Sequence, residues 1–297
     1  MNKGIKYKMN NDKYILTENE IFTMRKEIFK NRESVHRVMI PYGVITYIEN
    51  LNISLNKKSQ ILMIYIGILL TYREAYYTYR LHHINIFNIV DLMGQSRSNN
   101  SLNKYFSKNS FLNENNYISH ISDYPVIYNM SFIENKEQKK YFVNYKMASE
   151  LSGSDNNENR PKKSIEPTLH VKGITRRRGR GIQILEEPLD VKPRQSASFK
   201  YETISKVVAG DMTTEAFYIM CVLKKMLGGE NTSLNNKFQT SKKLLANRFK
   251  VSEKTFNKYY KQLRDNPDIN IQLNNKPIKI EGVYGSKSYL QFECENY

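Results

Sequence analysis

The chemistry most plainly available in this sequence is contact with a polyanion, and it is concentrated between Lys242 and Arg264. Eight basic residues and one acidic residue lie in that stretch. Lysine can donate to guanine, and asparagine can bond adenine as donor and acceptor together. Polar residues that recur at three- and four-residue spacing share one face of a helix. The candidates for contact with base edges are therefore Ser252, Lys254, Asn257 and Lys258.

Other cations of the same region could contact phosphates, for which charge matters more than geometry. Phosphate contacts position a protein on nucleic acid without reading its sequence. The candidates for phosphate contact are Lys242, Lys243, Arg248, Lys261, Arg264, Lys276 and Lys287. The last two flank the turns of a predicted hairpin and could follow the minor groove or the backbone. They fit equally well as edge-strand lysines that deter aggregation.

A second basic cluster, KGITRRRGR at residues 172–180, contains five cations and no acid. As a flexible arm it could enter a narrow minor groove or add affinity that does not depend on sequence. It could also be a solvated linker, or an arginine-rich segment that folds on RNA. The cations of this basic arm are Lys172, Arg176, Arg177, Arg178 and Arg180.

The apolar spacing of the last hundred residues predicts three helices and a hairpin. The first helix covers 216–227, capped by Thr213 or Thr214. The second, capped by Thr240 or Ser241, ends at Arg248 with Leu244 and Leu245 inward. Ser252 caps the third, which ends near Arg264. Strand-like runs follow at 269–273 with 278–280, and at 288–292.

The run LANRFKVSEKTFNKYYKQL resembles the helix-turn-helix signature of bacterial winged-helix DNA-binding proteins. Its Leu-Ala pair, its apolar-x-Val-Ser turn and its terminal leucine carry the resemblance, which is looser outside this run. The resemblance implies that the third helix lies in the major groove. Lys250 departs from the pattern, since many such turns have glycine there, and a residue other than glycine is tolerated if the turn avoids a positive φ.

The N-terminal half shows the same order of elements more faintly. Helices are predicted at 59–70, 84–93 and 101–106, and strands at 117–121, 126–132 and 140–146. The preceding VMIPYGVITYI, at 38–48, resembles the Ile-Pro segment that leads into the winged helix of some plasmid and phage replication initiators. Two winged helices in one chain are also the layout of several such initiator families.

These patterns predict an α+β protein with two winged-helix domains joined by a flexible basic linker. The domains are predicted at 14–147 and 201–297, with a mostly disordered linker at 148–200. The apolar residues of 61–70 cover more than one helical face. They therefore predict burial within their own domain or, in a homodimer, against a second copy.

The composition of the sequence, and the motifs that it lacks, narrow the class of function. A net charge of +17 favours nucleic acid first and an anionic membrane surface second. The apolar run 61–70 is too short to span a membrane, and no signal peptide or nucleotide-binding motif is present. Two cysteines predict neither a disulfide framework nor a zinc site, and they fit a cytoplasmic location. His82 and His83 are adjacent, which is the wrong spacing for two metal ligands on one strand.

The sequence therefore predicts sequence-specific binding of double-stranded DNA, without catalysis, metal, cofactor or small-molecule substrate. Replication initiation at an origin is the first hypothesis, from the tandem layout and the Ile-Pro segment. Transcriptional regulation is the second, from the helix-turn-helix alone. A third hypothesis is an adaptor that uses its winged helices for protein contacts, with a basic face that is only solvated.

Overall fold

The structure is a computed structural model. It describes residues 9–10, 13–14, 19, 37–77, 86–94, 100–122, 125–135, 138–147, 164–167, 196–226, 237–264, 271–277 and 288–294.

The described residues form helices and antiparallel strands, as an α+β class predicts. The helices are α1 (Tyr42–Asn50), α2 (Leu55–Tyr77), α3 (Ile86–Leu92), a 3-10 helix (Asn100–Tyr105), α4 (Phe111–Glu114), α5 (Tyr201–Ala209), α6 (Thr214–Lys225), α7 (Lys242–Arg248) and α8 (Glu253–Arg264). The strands are β1 (Met9–Asn10), β2 (Lys13–Tyr14), β3 (Arg37–Pro41), β4 (Ile118–Ile121), β5 (Pro125–Asn135), β6 (Gln138–Met147), β7 (Ser164–Pro167), β8 (Ser196–Lys200), β9 (Lys237–Thr240), β10 (Ile271–Pro277) and β11 (Ser288–Cys294).

The chain divides into two compact units, and each is built from two separate stretches of sequence. The first unit contains residues 1–30 and 67–190, and the second contains 31–66 and 191–297. This division differs from the predicted boundaries, because residues 31–66 belong with the C-terminal stretch and not with the rest of the N-terminal half. The division falls within α2.

Strand pairing explains why the second unit has two stretches. β3 pairs antiparallel with β8, so that Val38 lies opposite Phe199 and Ile40 opposite Ala197, and all four side chains are buried. Pro41 is the N-cap residue of α1. A missing N–H at this position costs no helical hydrogen bond. The prediction of a disordered linker is wrong for Ser196–Lys200, because its alternating apolar residues provide a buried strand face.

The start of α2 is bonded to the start of α6 inside this second unit. The Ser59 and Thr214 hydroxyl oxygens are 3.1 Å apart. The Asn56 amide donates to the Glu215 carboxylate at 2.9 Å. These polar contacts, like the strand pair, join residues far apart in sequence, so the C-terminal helices are not a unit formed by residues 201–297 alone.

The C-terminal part of the second unit has the order helix, strand, helix, helix, strand, strand. Its three strands form one antiparallel sheet in the order β10, β11, β9, with Leu273 opposite Phe292 and Phe292 opposite Phe238. The predicted hairpin is present at 271–277 and 288–294, whereas β9 was not predicted. The predicted strand run 278–280 lies outside the described residues.

The predicted ends of α6, α7 and α8 are close to the observed ones. The side chains of Thr213, Ser241 and Ser252 accept hydrogen bonds from the backbone N–H groups of Ala216, Leu244 and Thr255. Each is a residue with a short hydroxyl side chain, which can satisfy a free N–H group at a helix start. The prediction that Leu244 points inward is wrong, because 60% of it is exposed. Leu245, Ala246 and Phe249 provide the buried face of α7 and its end.

The first unit contains the second part of α2 and the elements from α3 to β7. α3 and the 3-10 helix lie close to the predicted helices at 84–93 and 101–106, and β4, β5 and β6 lie close to the predicted strands. β5 pairs with β6, and β4 pairs with β7. Ile165 in β7 is buried, so the prediction of a disordered linker is also wrong for Ser164–Pro167. The rest of 148–195 lies outside the described residues.

Candidate nucleic-acid interface

The two faces of α8 have opposite chemistry. Phe256, Tyr260 and Leu263 are buried at 0%, 6% and 1% exposure, at four- and three-residue spacing. The α8 polar face is defined by four exposed residues with the complementary spacing: Lys254, Asn257, Lys258 and Lys261. Because 3.6 residues complete one helical turn, these four side chains share one side of the helix. The polar residues that the sequence places on one face of this helix are therefore exposed together in the structure.

Aromatic packing fixes the orientation of α8. The ring of Phe249, at the end of α7, lies 6.1 Å from the ring of Phe256, and Phe256 lies 6.4 Å from Tyr260. Phe249 is also 6.3 Å from Tyr218 on α6, in an edge-on arrangement. Aromatic pairs at such separations stabilise one another beyond the area that they bury. These contacts determine which face of α8 is left for solvent.

The far end of α8 is bonded to the start of α6. The Gln262 side-chain oxygen accepts hydrogen bonds from the Thr213 backbone N–H and hydroxyl, both at 3.0 Å. Thr213 itself caps α6 through the Ala216 N–H. Gln262 therefore anchors the C-terminal end of α8. No sequence pattern had assigned a role to this glutamine.

Ser252, the remaining candidate for base contact, has a structural role as well. Its hydroxyl oxygen accepts from the Thr255 N–H at 3.1 Å and lies 2.8 Å from the Thr255 hydroxyl oxygen. Ser252 is exposed at the N-terminus of α8. A hydroxyl has one donor and two acceptor positions, so capping the helix leaves part of its bonding capacity available.

The basic residues of α7 differ from one another in their surroundings. Lys243 is exposed, whereas Lys242 is half-buried with its Nζ 4.8 Å from the centre of the Tyr260 ring. A cation over an aromatic face is held there by the ring quadrupole. The Tyr260 ring therefore holds the ammonium group of Lys242 against α8.

Arg248 makes an ion pair inside the protein. Its Nε donates to Oε1 of Glu49, on α1, at 2.6 Å, and 32% of the arginine side chain is exposed. The other carboxylate oxygen of Glu49 accepts from Lys225 Nζ, on α6, at 2.7 Å. A prediction of phosphate contact for Arg248 could not anticipate this pairing, because Glu49 is distant in sequence and lies in no recognisable motif.

The Glu49 carboxylate is partly buried between two cationic side chains, those of Lys225 and Arg248. Burial by itself raises the pKa of this carboxyl group, but hydrogen bonds and charge from Arg248 and Lys225 outweigh burial and hold the pKa below its usual value. Lys225 is 5% exposed and also donates to the Thr46 hydroxyl at 3.2 Å. One carboxylate therefore joins α1 to the last residues of both α6 and α7.

The turn between α7 and α8 contains a left-handed backbone conformation at a residue other than glycine. Lys250 has a φ of 53°, in the left-handed region that favours glycine. Its Nζ donates to the Asn52 side-chain oxygen at 3.2 Å. The turn thus does not avoid a positive φ, and the lysine is held by a contact to the segment that follows α1.

The remaining predicted residues are only partly covered by the structure. Arg264 ends α8, and Lys276 lies in β10 opposite Tyr289. Lys287, His82, His83 and the whole basic arm lie outside the described residues. In the part of the chain that the structure covers, no cluster of histidine, cysteine and carboxylate side chains could hold a metal ion. No helix in that part is both long and apolar enough to cross a membrane.

Comparison with protein-family models, with curated proteins and with solved structures found no match for this chain.

Proposed function

We propose that the second unit binds double-stranded DNA sequence-specifically, with α8 in the major groove. The observation that carries the proposal is the α8 polar face: three lysines and an asparagine are exposed on one side of a helix whose other side is buried. Residues near the start of such a helix contact base edges, while nearby cations contact phosphates. Lys254, Asn257 and Lys258 are the base-reading residues of this proposal.

The order of elements supports the same proposal. A helix, a strand, two helices joined by a short turn, and two further strands are the elements of a winged-helix domain, and the three strands form one sheet. In such a domain the last helix is the one that reads DNA. Lys243 and Lys261, both exposed, then contact phosphates.

The test is a titration of the full chain against duplex DNA selected from random sequences by the wild-type protein. Replacing Lys254 and Lys258 together by alanine removes the preference for the selected duplex over an unrelated one. The matched control replaces Lys104 and Lys108, two exposed lysines of the first unit, and so removes the same charge elsewhere. Equal loss of preference in both double variants would contradict the role of α8. Wild-type protein whose affinity for DNA does not depend on salt would favour an adaptor that contacts other proteins.

Replication initiation at an origin is our first proposal for the biological role. It rests on the second, fainter succession of helices and strands in the first unit and on the Ile-Pro segment, whose residues form β3 and the start of α1. Transcriptional regulation predicts the same DNA chemistry. Genome-wide selection of bound fragments separates them, since sites cluster at an origin in one case and at promoters in the other.

A further inference from the structure

Glu49 is the only acidic residue of α1, and both of its carboxylate oxygens are used. Oε1 accepts from Arg248, the last residue of α7, and Oε2 accepts from Lys225, the last residue of α6. Cations at the C-terminal end of a helix are also favoured by the helix dipole. A single side chain from the N-terminal stretch therefore holds the ends of two helices of the C-terminal stretch.

The position of Arg248 makes this contact consequential for α8. Arg248 is followed by Phe249, Lys250, Val251 and Ser252, and α8 starts at the next residue, Glu253. A displacement of the end of α7 is passed to the start of α8, where the base-reading candidates lie. The second tether of the same turn, from Lys250 to Asn52, also comes from the segment after α1.

From this arrangement we infer that Glu49 is a positioning residue for DNA reading by α8, and that Arg248 acts through Glu49 instead of contacting a phosphate. The inference rests on the proposed function. The Nε of Arg248 is bonded to a Glu49 carboxylate oxygen 2.6 Å away, so this donor is directed into the protein. A guanidinium group that makes no phosphate contact releases no counterion when DNA binds, so it contributes nothing to the salt dependence of binding.

The experiment compares three single variants and the Glu49→Gln/Arg248→Met double variant with the wild type, all as full chains. Each is measured on a duplex selected by the wild type and on an unrelated duplex, at several salt concentrations. Glu49→Gln removes the carboxylate charge and keeps the side-chain size. Arg248→Met removes the guanidinium at a partly exposed helix end, where folding tolerates the change. Glu202→Gln is the matched control, because this exposed glutamate of α5 changes net charge equally without touching the Glu49 cluster.

We expect Glu49→Gln and Arg248→Met each to weaken binding to the selected duplex about tenfold, within the range of coupling between contacting residues. The double variant is then no weaker than either single variant, because both changes remove the same contact. The slope of log affinity against log salt stays at the wild-type value in all four variants. Glu202→Gln keeps the wild-type preference for the selected duplex.

The opposite assignment gives a different pattern. If Arg248 contacts a phosphate, Arg248→Met lowers the salt slope by about 0.9 on both duplexes, and Glu49→Gln tightens binding by releasing the arginine. That pattern overturns the inference and leaves the proposed function intact, provided that the Lys254 and Lys258 double variant still loses its preference. Wild-type protein that selects no duplex overturns the proposed function, and the inference falls with it.

Discussion

The Glu49 contact predicts a specific stability change in the second unit. The side chains of Lys225 and Glu49 are 6% and 14% exposed, so they form a largely buried pair, whereas Arg248 is exposed enough for its own pair to contribute at most about 1 kcal/mol. Removing one partner of a buried pair costs about 3 to 5 kcal/mol, because the other charge is left without a partner. Since glutamine keeps the side-chain volume and leaves no cavity, Glu49→Gln should cost about 3 kcal/mol, the lower end of that range.

The measurement is amide hydrogen exchange of peptides from α6, which reports the free energy of opening of this unit alone. Adding Lys225→Met to Glu49→Gln should restore most of the lost protection, because the unpaired buried charge is then gone. Protection in Glu49→Gln equal to that in the wild type would refute the reasoning. So would a double variant less protected than the single one.

The pH dependence of this contribution follows from the direction of the pKa shift. The pKa of Glu49 in the folded protein lies below its usual value of 4.5, so the folded state favours the ionised form. The stabilisation is therefore fully present above pH 4.5 and is lost as the pH falls through the lower, folded-state pKa. The difference in stability between the wild type and Glu49→Gln should shrink over that acidic window and be constant above it.

Two further predictions concern the backbone of each unit. Lys250→Gly should change the free energy of unfolding of the second unit by less than about 1 kcal/mol, because relief of the positive φ offsets the added freedom of the unfolded chain. Lys250→Val places a β-branched side chain at the same φ and should cost about 1 to 2 kcal/mol. Similar urea midpoints for the two variants would contradict this. In the first unit, a Cβ on Gly67 would lie 2.4 Å from Cγ2 of Ile89, so Gly67→Ala should destabilise by about 1 to 3 kcal/mol despite its better helix propensity. Combining it with Ile89→Ala, which removes that methyl group, should cost less than the sum of the two single changes in the same denaturation assay.

Local patterns in the sequence predicted the helices α6, α7 and α8 well. The hydroxyl residues at Thr213, Ser241 and Ser252 satisfy free N–H groups within three residues of themselves, so a cap is visible without knowledge of the fold. The alternation of Phe256, Tyr260 and Leu263 with Lys254 and Lys258 likewise sets the two faces of α8 by helical geometry alone. Leu244 was misplaced because the phase of a seven-residue helix is set by few apolar residues.

The sequence by itself thus determined that α6, α7 and α8 are helical, where they begin, and that one of them presents a basic face. Only the tertiary structure decided which stretches belong together: β3 with β8, β9 with β11, and Glu49 with Arg248 and Lys225. The physical reason is the distance along the chain over which each interaction acts. Capping and amphipathicity act within one or two helical turns, whereas an ion pair or a strand pair joins residues that the chain order separates by up to about two hundred positions. Arg248 could therefore be recognised as a cation from its sequence, but its partner was set by the fold.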